Sequence, residues 1–145
     1  MFIGHLVKQP HDTLIYGRAI AYAHQPGRDD ASPAEIRRTS WKRDWCRYVR
    51  VRNAKFISGT LVNGVSLNEL MDTFGADAFE PTHRNKRAGQ GNTNPHKSLM
   101  RKAHICLTRR AAHWLNARLE QVFATHGRIS QASLKSLYWP KKPVL

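Results

Sequence analysis

Thr13-Leu14-Ile15-Tyr16-Gly17-Arg18-Ala19-Ile20-Ala21-Tyr22-Ala23-His24 is the run on which the reading of the fold turns. Its period is two, the pattern of a strand whose faces meet different surroundings. Leu14, Tyr16, Arg18, Ile20, Tyr22 and His24 share one face, and Ile15, Gly17, Ala19, Ala21 and Ala23 the other. The small-residue face suits close packing against a helix or a second layer. The other carries two tyrosines and an arginine, and Gly17 suits a bulge or kink. Upstream, residues 2–7 read as another strand, separated by a turn at Pro10-His11-Asp12.

Downstream, the loop His24-Gln25-Pro26-Gly27-Arg28-Asp29-Asp30 feeds Ser32-Pro33-Ala34-Glu35. Serine caps, proline takes the first helical position, and Glu35 completes a capping box, so a short helix runs towards Trp41 and Trp45. Cys46-Arg47-Tyr48-Val49-Arg50-Val51-Arg52 and residues 55–60 read as two further strands, with Asn53-Ala54 a tight connection or bulge. Asn63-Gly64 turns the chain. Ser66-Leu67-Asn68-Glu69 repeats the capping logic, Leu67, Leu70, Met71 and Phe74 form an apolar stripe for the core, and Gly75 stops the helix.

Residues 81–98 hold no acid and no aliphatic side chain larger than that of Ala88. Such a composition buries too little surface to order itself, and it predicts a basic, flexible loop. Residues 103–107 return as a strand. Thr108 caps an amphipathic helix with Ala111, Trp114, Leu115, Leu119, Val122 and Phe123 on one face, ended by Gly127. Ser130 begins a last short helix with Leu134, Leu137 and Tyr138.

The order β-β-α-β-β-α-loop-β-α-α has short strands, and no βαβ crossover in it has the long helix required. It predicts an α+β fold, a small mixed or antiparallel barrel flanked by helices with a C-terminal helical segment. The expected organisation is a single domain with a β-rich core over 1–80, the basic loop over 81–98, and a strand plus helices over 99–145 packing on the core.

Charge narrows the partner. The 145 residues carry +14, and after Glu80 a single acid, Glu120, stands among thirteen lysines and arginines. Residues 1–80 hold eleven Lys/Arg against nine Asp/Glu. A field so one-sided destabilises the compact state unless a polyanion compensates, which points to DNA or RNA. No stretch approaches the ~18 apolar residues of a membrane span, and the N-terminal run has no basic segment of an export signal. Cys46 and Cys106 read as buried free thiols of a soluble cytoplasmic protein.

Arginines alternate with aromatics: Tyr16, Arg18 and Tyr22, then Arg47, Tyr48, Arg50 and Arg52, preceded by Trp41, Lys42, Arg43 and Trp45. Bases stack on aromatic faces while cations take phosphates, the combination that single-strand or extruded-base binding needs. Taken singly, Trp41, Trp45 and Tyr48 read first as core aromatics and the arginines as a solvated face; taken as a group, with the charge excess, they point to binding. Arg84, Lys86, Arg87 and Lys97 in the basic loop, with Arg101, Lys102, Arg109 and Arg110 beyond it, suit the phosphate backbone.

Catalytic patterns are weak. Asp29-Asp30 is the only adjacent acidic pair, and it reads either as an internal salt-bridged turn or as a pocket wall accepting from a base edge. Asn53-Ala54-Lys55 lacks the carboxylate of a metal nuclease. His83, Asn92, Asn94 and His96 lack the frame of a His-Asn-His finger, Gly89-Gln90-Gly91 lacks a third glycine, and the eight histidines show no zinc spacing. No catalytic residue, metal site or cofactor is expected.

Residues 14–79 resemble the later half of PUA-like domains, in particular the EVE and ASCH branches. The resemblance is carried by Gly17-Arg18-Ala19 at the strand, Pro26-Gly27-Arg28-Asp29-Asp30 in the loop, Trp45 with Tyr48-Val49-Arg50-Val51, and Leu61-Val62-Asn63-Gly64-Val65-Ser66-Leu67-Asn68-Glu69-Leu70. It implies a pseudo-barrel that binds RNA or modified nucleobases in an aromatic pocket. Trp41, Trp45 and Tyr48 would wall that pocket, and Arg18 and Arg28 would contact phosphate or base. The chain departs from the class in starting directly on a strand and in its basic segment from Pro81. An edge strand left open invites pairing with a second copy or another protein. The function expected is therefore non-catalytic nucleic-acid binding, the alternative being an assembly subunit that meets an acidic protein.

Overall fold

The computed structural model describes residues 1–8, 11–100, 102 and 104–130. It is an α+β protein. Strands β1 (Phe2–Lys8) and β2 (His11–Ala21) are followed by helix α1 (Pro33–Arg38), β3 (Val51–Ile57), β4 (Val65–Ser66), α2 (Leu67–Phe74), α3 (Glu80–Ala88), α4 (Pro95–Leu99), α5 (Arg109–His126) and β5 (Arg128–Ser130). Single turns of 3-10 helix fall at Ser40–Arg43, Leu61–Asn63 and Gly75–Asp77.

The sheet is antiparallel and runs β1-β2-β3-β5, with β4 added on β2 through Leu14 opposite Ser66 and Ile15 opposite Val65. Among the described residues no pairing closes it into a barrel. In place of the expected strands at 46–52 and 55–60 stands one strand, β3, with Asn53 inside it at φ +52°, while residues 46–50 form no strand and carry the isolated bridge of Arg47 to Asp30. Residues 104–107 supply a single bridge, Leu107 to Phe79, rather than a strand. Closure therefore lacks the strands that the sequence led one to count. The helix expected from Ser130 onward lies outside the described residues.

Two compact units make up the chain, and their boundaries fall inside β2 and β3 rather than near residue 80. The first comprises Arg18–Lys55 with Met1 and Ser130, the second Phe2–Gly17 and Phe56–Ile129.

The hydrophobic core belongs to the second unit. Ile15, Ile57 and Val65 from the strands meet Leu67, Leu70 and Met71 of α2, Ala78 and Phe79, and Ala111, Leu115, Leu119 and Phe123 of α5. The helices form where sequence expected them because their apolar residues recur on one face and their ends are capped. Ser66 Oγ accepts from Glu69 N–H at 3.1 Å at the start of α2, and Thr108 Oγ1 accepts from Ala111 N–H at 3.3 Å at the start of α5. Buried Asp12 binds α2 to β2, its carboxylate accepting from Ser66 Oγ at 2.6 Å and Asn68 N–H at 3.0 Å.

Residues 81–98 are not a flexible loop. They form most of α3 and α4, and the anchoring is polar. Fully buried Thr82 donates its hydroxyl to the Ala76 carbonyl at 2.7 Å. Pro81 opens α3 behind fully buried Phe79, and Gly89 in the left-handed region ends it. The Asn85 amide then donates to the Asn92 carbonyl at 2.8 Å, and Asn94 Oδ1 caps α4 by accepting from His96 N–H at 2.9 Å. Gly91 suits the turn between them because its φ of +84° is a conformation that other residues rarely adopt, and a Cβ there would also lie 2.9 Å from the Asn85 side chain. A count of aliphatic residues misses order built this way.

Candidate nucleic-acid interface

The first unit holds Asp29 as its buried centre. Gly27, at φ +80°, turns the loop so that Asp29 Oδ2 accepts from Gln25 N–H at 2.8 Å. Oδ1 accepts from Arg50 Nε at 3.2 Å, and the Asp29 carbonyl accepts from Tyr48 N–H at 2.7 Å. The Gln25 amide, then the Arg50 guanidinium, hold its carboxyl below the usual carboxylate range. Asp30 accepts from Gly27 N–H at 2.8 Å and faces His24 Nε2 at 3.2 Å. Of the two sequence readings, the salt-bridged turn describes this pair. Antiparallel bridging of Asp30 with Arg47, and Ala31 N–H to the Cys46 carbonyl at 2.6 Å, then lays residues 46–48 beside 29–31.

Glu35 is the second centre. The capping box forms, with Glu35 Oε2 accepting from Ser32 N–H at 2.8 Å. The other oxygen accepts from Tyr48 Oη at 3.0 Å and Lys42 Nζ at 3.3 Å. The Ser32 backbone N–H and hydroxyl, then Tyr48 and Lys42, hold the Glu35 carboxyl down to about 2. Lys42 is raised, first by the Tyr48 hydroxyl and then by Glu35. Its ammonium lies 5.5 Å from the Tyr48 ring centroid and 5.8 Å from that of Trp41, within cation–π range. Trp41 is 58% exposed and Trp45 66%, and the Tyr48 ring is also open to solvent. These aromatics are not core.

Alongside them in the same unit, Tyr22 N–H donates to the Arg50 carbonyl at 2.9 Å. The Tyr22 ring lies 4.3 Å from the Arg50 guanidinium and 5.4 Å from that of Arg52. Arg28 is exposed on the turn and reaches Gln25 Oε1 at 3.4 Å, while Arg18 is half-buried in β2. Residues 18–55 hold ten Lys/Arg against four Asp/Glu, a net +6. Three of those acids already face internal partners. Arg28, Arg37, Arg38, Arg43, Arg47 and Arg52 are exposed, with no ion-pair partner among the described residues.

In the second unit the predicted cations take different roles. Lys86 Nζ is 2.8 Å from Asp77 Oδ2, and His83 Nδ1 is 2.8 Å from Asp77 Oδ1; Lys86 first and His83 second hold the Asp77 carboxyl low. Arg84, Arg87, Lys97, Lys102, Arg109 and Arg110 are exposed, Arg110 with its guanidinium 5.9 Å from the Phe74 ring centroid. Arg84, Lys102 and His104 line an open groove with Glu80, Pro81, Ile105 and Cys106. Arg101 lies outside the described residues.

The structure thus brings Trp41, Trp45, Tyr48, Arg28, Arg50 and Arg52 together in one unit and puts Arg84, Lys86, Arg87, Lys97, Arg109 and Arg110 in the other. Arg50 and Lys86 are committed to internal ion pairs, which the sequence reading did not separate from open cations. That reading gave Glu35 a cap alone, and its second oxygen was the missed signal. Cys106 is exposed rather than buried, because His104 and Cys106 alternate with the more buried Ile105 and Leu107. Among the described residues, no group of His, Cys, Asp or Glu is placed to hold a metal ion, and no helix is long and apolar enough to cross a membrane.

No protein-family model matches the chain, and no curated protein or solved structure matches it significantly.

Proposed function

We propose that the protein is a nucleic-acid-binding module that works without a catalytic step, its first unit offering bases the rings of Trp41, Trp45 and Tyr48. The observation that carries this reading is that residues 18–55, at net charge +6, leave three aromatic side chains exposed together with arginines that have no ion-pair partner among the described residues. Keeping such rings in water forgoes roughly 25 cal/mol for every Å² of apolar surface that burial would remove. A stacked base recovers that burial, and phosphates take up the surrounding charge. Arg84, Arg87, Lys97, Lys102, Arg109 and Arg110 add a second set of exposed cations suited to backbone contact. A relation to PUA-like domains of the EVE and ASCH kind belongs to this reading. It is supported by the succession of strand, Gly27 turn, capped helix, aromatic segment, strand and capped helix through residues 14–79.

The test is a titration of labelled DNA and RNA, single-stranded and duplex, with and without a methylated base, at two salt concentrations. Affinity should fall steeply with salt as bound phosphates release counterions, and Trp45→Ala should weaken it without changing the circular dichroism. Retention that ignores salt, or no binding to any nucleic acid, would overturn the proposal. The assembly reading would then take its place. It is favoured by β1, at one end of the strand order, with Leu6 53% exposed.

A further inference from the structure

We infer that the nucleic acid this protein takes is single-stranded and crosses two stacking stations of the first unit, one at Trp41, Trp45 and Tyr48, the other at Tyr22 with Arg52. The inference rests on the nucleic-acid reading above and names its substrate class. Sequence placed Tyr22 in the alternation of arginines and aromatics, and the geometry sets it against Arg50 and Arg52. Tyr22 is 41% exposed, with one guanidinium 4.3 Å and another 5.4 Å from its ring centroid.

The two guanidiniums do different work. Arg50 is neutralised by Asp29 at 3.2 Å, so it braces the ring. Arg52 is exposed and faces no carboxylate among the described residues, so it is left for a phosphate. A base can stack on the tyrosine or on the guanidinium plane laid against it.

Buried Asp29 joins the stations, since its carbonyl fixes the Tyr48 backbone while its carboxylate fixes Arg50. Tyr48, Arg50 and Arg52 alternate along the chain, so one buried side chain sets the spacing from station to station. A duplex keeps its base faces against one another and shows a protein only edges and backbone. Two sets of open rings among cations therefore match a strand whose bases are unpaired.

Fluorescence anisotropy with unstructured oligonucleotides of about 2 to 12 nucleotides, and with a duplex of the same sequence, tests this on the full chain at low salt. The single strand should bind about tenfold tighter than the duplex, and affinity should climb with length until both stations are filled. Tyr22→Ala should lower affinity for the long oligonucleotides about tenfold and leave the shortest unchanged, while Tyr22→Phe should bind as the parent does. Exposed Arg52→Gln gives a second readout, a smaller salt dependence on the long oligonucleotides alone, should Tyr22→Ala fail to fold. A duplex bound as tightly as the single strand, or long-oligonucleotide binding unchanged in Tyr22→Ala or, in its place, Arg52→Gln, overturns the inference and leaves nucleic-acid binding standing. No binding to either form overturns both.

Discussion

The carboxylate of Glu35 receives donors from Ser32, Tyr48 and Lys42, and so fixes two of the side chains that present the aromatic face. Its acid range is held down from 4.5 to about 2. A carboxyl more acidic in the folded state adds stability above its unfolded value and loses it as pH falls through the folded one. Glu35→Gln keeps the backbone cap, because glutamine also closes a capping box, but removes the charge and puts an amide NH2 where Tyr48 and Lys42 donate. Its melting temperature should therefore lie below the parent's at neutral pH. The gap should narrow below pH 4.5 and close towards pH 2, as thermal melts across that range would record. The Ser32 to Glu35 spacing made the cap legible in the sequence. The bonds to Lys42 and Tyr48 were not, since they depend on the path of the chain through the Ser40–Arg43 turn and the bridge at Arg47.

Helix α5 shows what caps and stripes reveal and what they leave out. Thr108 caps it and also donates its hydroxyl to the Asp77 carbonyl at 2.6 Å, binding the helix to the turn before α3. Thr108→Ala should cost about 1–2 kcal/mol. Leu119→Ala, at a fully buried position of the same helix, should cost about 2–5 kcal/mol. Urea unfolding followed by circular dichroism checks both, with an unchanged slope expected for each. The period of Ala111, Leu115, Leu119 and Phe123 declared this helix from sequence, as Leu67, Leu70 and Met71 declared α2. Helices α3 and α4 carry no such period. Their order comes from single polar contacts, the Thr82 hydroxyl and the Asn85 and Asn94 amides, which composition reads as solvent-loving.

Across the whole molecule, charge and core follow different boundaries from those the linear sequence implies. The contrast between residues 1–80 and the remainder hides a stretch, residues 18–55, at +6, while the second unit holds eleven Lys/Arg against six Asp/Glu. Seven of the eleven large apolar side chains exposed among the described residues, Trp41, Trp45 and Tyr22 among them, belong to the first unit. The residues buried in Arg18–Lys55 are Ala19, Asp29 and Ala54, so that unit has no apolar centre of its own. Elements with few buried apolar contacts open at low free energy, and a ligand that binds only the closed form slows the opening. The amides of Ala31 and Tyr48, which close the bridged segment, should take up deuterium well before those of Leu115 and Leu119. Adding a bound oligonucleotide should delay uptake at the first pair and leave the second unchanged. Hydrogen exchange would then record a binding surface that gains its full order from what it holds.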